Sequence, residues 1–347
     1  TPSVSSTYRS KSVMQRLSGK LSSKISPLWQ GASIAAMTGL AALFLSEHYG
    51  APAMLFALLL GMAVSFLYQS DSLCAKGIDF TGTTVLRVGI VLLGTRIALG
   101  DLVTLGWQTA LMLAGAILTT IILGVVLARA FGLQKRFGAL TGGSVAICGA
   151  SAALAISSIM PNSEHKERDT LLTVIGVTAM STLAMILYPI VVNYLEFDAH
   201  NAGVFLGGTI HDVAQVVGAG YSVSPETGDI ATLTKLVRVA MLLPVVLIMM
   251  VVINRSNKEK HGELPKVPGF LIGFVILMII NSCFSLPTIV LETANELSQF
   301  FLIAAISAIG MKTNLGKLTE VGMKPIVLIV AETLWIALLI LGFVIWS

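Results

Sequence analysis

Residues 206–220 read LGGTIHDVAQVVGAG, and residues 141–152 read TGGSVAICGASA. Each stretch opens on Gly-Gly, then a hydroxyl residue, then a β-branched one: Gly142-Gly143-Ser144-Val145 and Gly207-Gly208-Thr209-Ile210. Each is dense in small residues and sits inside a long apolar block. A glycine weakens a helix by about 1 kcal/mol relative to alanine. In a bilayer, loosened backbone persists only where protein or a water-filled cavity satisfies its polar groups. The two stretches therefore predict a pair of interrupted helices lining a binding site. The competing reading is that the glycines only allow close helix packing.

The surrounding composition sets the solvent. Of 347 residues, 55% are hydrophobic and 12% charged, with a mean hydropathy of +0.87. A soluble domain carries about 25% charged residues. The apolar blocks are about 20 residues long, the length of a bilayer-spanning helix. They lack the in-and-out alternation of a membrane β-barrel. The expected class is an all-α membrane protein. A net charge of +4 does not point to nucleic acid, because the basic residues sit in loops between apolar blocks. Cys74, Cys148 and Cys283 are odd in number and without pairable spacing, which argues against a disulfide framework. Residues 1–27 are basic and carry no acidic residue, so they are expected to be a cytoplasmic tail ahead of a single transmembrane domain, 28–347.

Eleven spans are expected near 28–47, 51–69, 83–99, 104–128, 137–160, 170–192, 203–222, 230–253, 268–289, 299–315 and 324–346. Arg9, Lys11, Arg16, Lys20 and Lys24 share one side with Arg129, Lys135, Arg136, Arg255, Lys258, Lys260 and Lys266. The positive-inside rule then puts the N-terminus in the cytoplasm and the C-terminus outside. Lys166 and Arg168 dissent, interleaved with Glu164, Glu167 and Asp169.

An internal repeat is visible. Gly94, Leu99, Gly100, Leu102 and Gly106 match Gly310, Leu315, Gly316, Leu318 and Gly322, and Arg96 matches Lys312, all at one spacing. The repeat-like regions run around 93–128 and 309–346, and in the eleven-span topology the copies point in opposite directions. Inverted repeats of that kind build many secondary transporters. Chance similarity of Gly/Leu-rich helices is the alternative.

Several segments resemble the YeiH-like membrane proteins, a family described as sulfate exporters. They are Cys148 to Ala152, Tyr188-Pro189, Ile210 to Gly220, and Lys235-Leu236-Val237-Arg238 with Pro244. The resemblance runs from about residue 28 to the C-terminus. That family is distantly similar to the bile-acid/sodium symporter and sodium/proton antiporter folds. The resemblance implies about 10–11 transmembrane helices, inverted repeats, panel and core domains, and two crossing helices within core segments 137–160 and 203–222. It also implies a multi-pass protein of the bacterial cell inner membrane, working by an elevator-like or rocking core. One feature departs from those folds: the second repeat is followed by one span, so the partner of 141–152 must precede it, and 206–220 is the candidate. In the eleven-span topology the two segments run in the same direction, so either the second repeat is permuted and the span count differs, or 206–220 is not its counterpart.

Ionisable groups inside a bilayer are costly and mark functional sites. His211 and Asp212 fall in the seventh span, Lys235 and Arg238 early in the eighth. Helical spacing would put His211 and Gln215 on one face, and Lys235 with Arg238 on another. Two cations on one face suit a doubly charged oxyanion. Against this, Asp212 could pair with either cation for structure alone, and Lys235 could snorkel. Asp212 and His211 are the expected ion-coupling residues, carrying H+ or binding near Na+; His211 could equally hold a fixed neutral hydrogen bond. The expected substrate contacts are Gly142, Gly143, Ser144, Cys148, Ser151, Gly207, Gly208, Thr209, His211, Gln215, Lys235 and Arg238. If 141–152 is helical, Ser144, Cys148 and Ser151 share a face. Cys148 could instead be a small buried hydrophobe. Arg96 and Lys312 read as interfacial anchors, while Arg87 lies mid-way into its span.

The leading expectation is a secondary transporter of a small inorganic or organic anion, such as sulfate, sulfite or a sulfonate. A passive anion channel and a cation/proton exchanger of the same fold are the alternatives. An intramembrane enzyme is not expected, because adjacent His211 and Asp212 would point to different faces. No cofactor, metal or nucleic acid is expected. Membrane lipid is the expected surrounding, and a homodimer is compatible with the sequence.

Overall fold

The computed structural model describes residues 28–49, 53–68, 72–95, 97, 99–161, 165–256, 269–284, 286–313 and 323–346. Among them every regular element is helical. In lipid a helix is the way for a single segment to pair all its amides. The chain begins with α1 (Leu28–Tyr49) and α2 (Ala53–Ala63). A bent run follows: α3 (Ala75–Phe80), a π-turn (Thr81–Val85) and α4 (Leu86–Leu93). Next come α5 (Leu99–Ala130), α6 (Lys135–Ala146), α7 (Ala150–Ile159) and α8 (Lys166–Tyr194). They lead to α9 (Ala199–Thr209), α10 (Val213–Val223), α11 (Pro225–Ala240) and α12 (Leu242–Ser256). The chain closes with α13 (Gly269–Cys283), α14 (Thr288–Lys312) and α15 (Met323–Trp346).

Among the described residues, six stretches are long and apolar enough to cross a membrane: α1, α5, α8, α11 joined to α12, α14 and α15. Four shorter apolar helices, α2, α7, α10 and α13, accompany them. Their outer faces are greasy. On α5, Leu111, Leu118, Ile122 and Val126 form a stripe 53–61% exposed. A soluble monomer rarely exposes so extended an apolar surface, so lipid is its solvent.

Local signals explain the boundaries. Asp198 caps α9 by accepting from the Asn201 amide at 2.7 Å, and Ser224 caps α11 by accepting from the Thr227 amide at 3.0 Å. Pro225 occupies the first turn of α11, where no amide is needed. Pro244 cannot donate to Ala240, and α11 gives way to α12 just before it, around Met241. Two expectations change. The fifth and seventh spans are each divided into two short helices. The tenth is longer than read, since 290–298 is helical and belongs to α14; its acidic residues lie on a helix that opens after Pro287.

The helices pack in two groups. In one, α14 packs against α2, α4 and the π-turn, and α13 packs against α4. In the other, α5, α6, α8, α9, α10, α11 and α15 pack on one another, with α7 against α6 and α8. Helix α10 bridges the groups by touching α2 and α14.

Some close contacts involve residues 216 positions apart. Trp335 donates its indole N–H to the Thr119 hydroxyl at 3.3 Å where α15 meets α5, and these residues are 216 positions apart. Gly94 and Gly310 stand at that same spacing, as do Leu58 and Phe274. A Cβ on Gly310 would strike the Leu58 carbonyl, and one on Gly94 would lie 2.5 Å from the Phe274 carbonyl. Thus α2 seats on α14 as α13 seats on α4. Residues 314–322 of the second copy, and Arg96 of the first, lie outside the described residues.

Forcing an extra methyl into such a contact costs about 1–3 kcal/mol. Gly310→Ala is expected to lower the melting temperature of the purified protein. Gly342→Ala, with nothing within 4 Å of its added Cβ, is expected to leave it unchanged.

Candidate functional site

The two Gly-Gly stretches remain helical through their glycines, and the chain breaks just after them. There the glycines serve close packing. A Cβ on Gly142 would come within 2.9 Å of the Thr120 carbonyl of α5, and one on Gly207 would strike the Ala231 carbonyl of α11. Gly143 faces Ile156, and Gly208 faces Ile340. The hydroxyls of Ser144 and Thr209 turn back onto their own helices, donating to Leu140 and Phe205 carbonyls.

Helix α6 ends at Ala146, and Gly149 takes φ +63°, a conformation that side chains resist. Its amide donates back to the Ser144 carbonyl at 2.8 Å, and α7 starts at Ala150. Helix α9 ends at Thr209, after which Ile210 and Asp212 are extended. Asp212 caps α10, its carboxylate accepting from the Ala214 amide at 2.8 Å. The breaks touch: a Cβ on Gly149 would lie 3.7 Å from His211.

A helix end leaves its last four carbonyls without intrahelical partners. Two broken helices inside a membrane multiply that cost. Lys235 and Arg238, both 0% exposed on α11, answer it. The Lys235 ammonium donates to the Ile147 carbonyl at 2.7 Å and the Ile210 carbonyl at 2.9 Å. Arg238 donates through Nε and Nη2 to Ala146, through Nη2 to Val145 at 3.0 Å, and through Nη1 to Gly207 at 3.2 Å and to Gly208. All these acceptors are backbone carbonyls, drawn from both α6 and α9. The two cations share a face, as the spacing predicts, but in this structure the hydrogen bonds they make go to backbone carbonyls at the breaks. Positive charge at helix C-terminal ends is also favourable to the helix dipoles.

His211 and Asp212 lie in the break, so helical spacing does not govern them. His211 Nε2 pairs with the Thr333 hydroxyl of α15 at 2.9 Å. The Asp212 amide donates to the Ser181 hydroxyl at 3.0 Å, and Gln215 donates to Thr182 at 2.9 Å, both on α8. His211 and Gln215 therefore face different helices. Ser144, Cys148 and Ser151 do not share a face either, because Gly149 turns the chain between them. Cys148 is buried, whereas Ser151 is exposed and Asp212 half-buried. Around the breaks the exposure that remains is at Ser151, which shares the outer face of α7 with Leu154, and at Asp212, whereas Val213, Ala214 and Gln215 at the start of α10 are buried.

Other sequence candidates are placed elsewhere. Lys312 ends α14 in an ion pair with Asp79 at 2.6 Å, and Tyr68 donates to the same carboxylate at 3.1 Å. Arg87 is exposed on α4. Lys166 donates to the Met160 carbonyl just beyond α7 at 3.0 Å. The sequence reading missed Glu332, which is 0% exposed in α15 and accepts from the Thr141 hydroxyl of α6 at 2.7 Å. Its signal was plain: an ionisable residue in the interior of an apolar span.

Removing Arg238 leaves several buried carbonyls unpaired. Each buried polar group left without a partner costs about 1–3 kcal/mol. Arg238→Ala is therefore expected to lower the melting temperature sharply with no anion present, and Arg238→Lys to recover part of it. A pure anion clamp would leave the ligand-free melting temperature unchanged.

A family model described as "Conserved hypothetical protein 698" matches residues 30–329. The UPF0324 membrane protein CT0845 of Chlorobaculum tepidum is 53% identical over 309 residues, 88% of this chain and 86% of that protein. The UPF0324 membrane protein TauZ of Paracoccus denitrificans is 49% identical over 319 residues, 91% of this chain and 94% of that one. RB0971 of Rhizobium meliloti, with the same description, is 49% identical over 331 residues, 94% and 96% of the two chains. No solved structure matches. In keeping with its YeiH-like motifs, the chain belongs to the family of conserved hypothetical protein 698, whose relatives are the UPF0324 membrane proteins.

Proposed function

We propose that this protein is a secondary transporter of a small oxyanion, of the sulfate, sulfite or sulfonate class, in the bacterial inner membrane. The observation that carries this reading is the meeting of two interrupted helices whose carbonyl ends are neutralised by Lys235 and Arg238. With those ends answered, the starts of α7 and α10 are left as the positive poles of the break. A helix start with free amides is a ready anion site. Ser151 and Gln215 stand beside those starts, and the glycines, Ser144, Thr209 and Cys148 shape the backbone that presents them.

In this reading α2 to α5 and α13 to α15 are inverted repeats within a protein of ten or eleven crossings. The helices around α14 form a panel, and those around α6 and α9 a core that moves against it. Such repeats place substrate and coupling ion near the midplane. Asp212 supplies the coupling. Its carboxylate already caps α10, and its charge opposes an anion there. A proton on Asp212 removes the opposition, so proton and anion bind together. Lys235 and Arg238 act on the substrate through the backbone they hold, without touching it.

A cation/proton exchanger of the same fold is the second reading. It is favoured by Asp212 itself, a half-buried carboxylate in the break.

The test is thermal stabilisation of the full chain with sulfate, sulfite, thiosulfate, sulfonates and carboxylates, with and without sodium, across pH. One anion class is expected to raise the melting temperature progressively; a ligand at 100 times its Kd stabilises by about 2.7 kcal/mol. Asp212→Asn is expected to keep that shift and lose its dependence on pH. Stabilisation by sodium and by no anion would move the assignment to cation exchange.

A further inference from the structure

Glu332 lies ten residues into the 24-residue α15 (Met323–Trp346), close to its middle. One carboxyl oxygen, Oε1, accepts from the Thr141 hydroxyl at 2.7 Å. The same oxygen lies against Gly124 of α5, where an added Cβ would strike it. The Gly124–Gly138 contact, where a Cβ on either glycine would meet the other's carbonyl, lets α5 and α6 close around the carboxyl. The second oxygen, Oε2, is buried and has no hydrogen-bond partner among the described residues.

Charge nearby does not answer it. Helix α15 packs against α5, α6, α8 and α9. Their described charged or titratable residues stand near helix ends: Arg129 on α5, Lys135 and Arg136 on α6, Lys166, Glu167, Arg168, Asp169 and Tyr194 on α8, and His200 on α9. Lys324 is at the start of α15 itself, and the Tyr188 ring of α8 lies against Phe205. His211 reaches α15 at Thr333, the residue beside Glu332. None of these donates to Oε2. A bare carboxylate in such a place is an unpaired buried charge, and a carboxyl with a proton on Oε2 is not.

We propose that Glu332 is a proton-binding site, separate from Asp212 and the break. A proton from water forms an O–H bond at Oε2, and the same bond breaks to return the proton to water when the α5–α6–α15 contact opens. Glu332 is tied to α6 through Thr141, one turn before the Val145 carbonyl that Arg238 holds. Its neighbour Thr333 is tied to His211. The proton on Glu332 therefore bears on both broken helices at once. This goes beyond the transport reading and does not require it.

The test is infrared difference spectroscopy of the full chain in lipid, stepped in pH, watching the carbonyl stretch of a protonated carboxyl. A band that titrates, is missing in Glu332→Gln and persists in Asp212→Asn supports the site. A spectrum unchanged by Glu332→Gln, or a band displaced by sodium at constant pH, overturns it. Should Glu332→Gln fail to fold, Thr141→Val decides. Loss of the hydroxyl donor is expected to move the midpoint of the band, and an unmoved midpoint overturns the assignment. Because no anion is involved, a titrating Glu332 band with no anion-dependent stabilisation would sink the transport reading alone.

Discussion

Two buried cations holding backbone carbonyls are the constraint on which the rest of this molecule depends. A helix broken inside a membrane exposes carbonyls that lipid cannot satisfy. Here two helices break side by side, and Lys235 and Arg238 reach from α11 to the ends of both. A buried cation is itself costly unless hydrogen-bonded. Neither feature could persist without the other. Arginine suits the larger share because its planar fork reaches several acceptors at fixed angles.

The neighbouring helices follow from that junction. Helix α11 must lie close to α9, and Gly207 permits it by offering no Cβ to the Ala231 carbonyl. Helix α6 must lie close to α5, and Gly142 permits that approach in the same way. Helix α8 supplies Ser181 and Thr182 to the second break, and α15 supplies Thr333 to His211 and Glu332 to Thr141. The polar side chains inside the bundle thus connect helices that already surround the breaks. Helix α10, which opens at Asp212, also meets α2 and α14 of the other helix group.

The membrane class, the helical content and the two special stretches were legible in the sequence because each is a local property. Apolar block length reports bilayer thickness, and Gly-Gly in such a block reports loosened or closely approached backbone. Gly94 and Gly310, two of the residues matched by the sequence repeat, each close onto a neighbouring helix's carbonyl. The partners were not legible. Lys235 and Arg238 looked like a free anion clamp because helical spacing shows that two cations share a face and says nothing of what they face. His211 and Gln215 were paired by a helical count that fails across a break. Glu332 was overlooked although its isolation within α15 was visible in the sequence.

The sequence by itself determined that this chain lives in lipid as helices, where its backbone is weakened, and which few ionisable residues it buries. Only the tertiary structure decided that the breaks fall after the glycines, that they touch at Gly149 and His211, and that Lys235 and Arg238 bind carbonyls of both. The physical reason is one of range. Hydropathy, propensity and spacing act along a segment. The partner of a buried charge is set by which helix ends meet in space, 88 and 92 residues away along the chain for the Lys235–Ile147 and Arg238–Ala146 contacts.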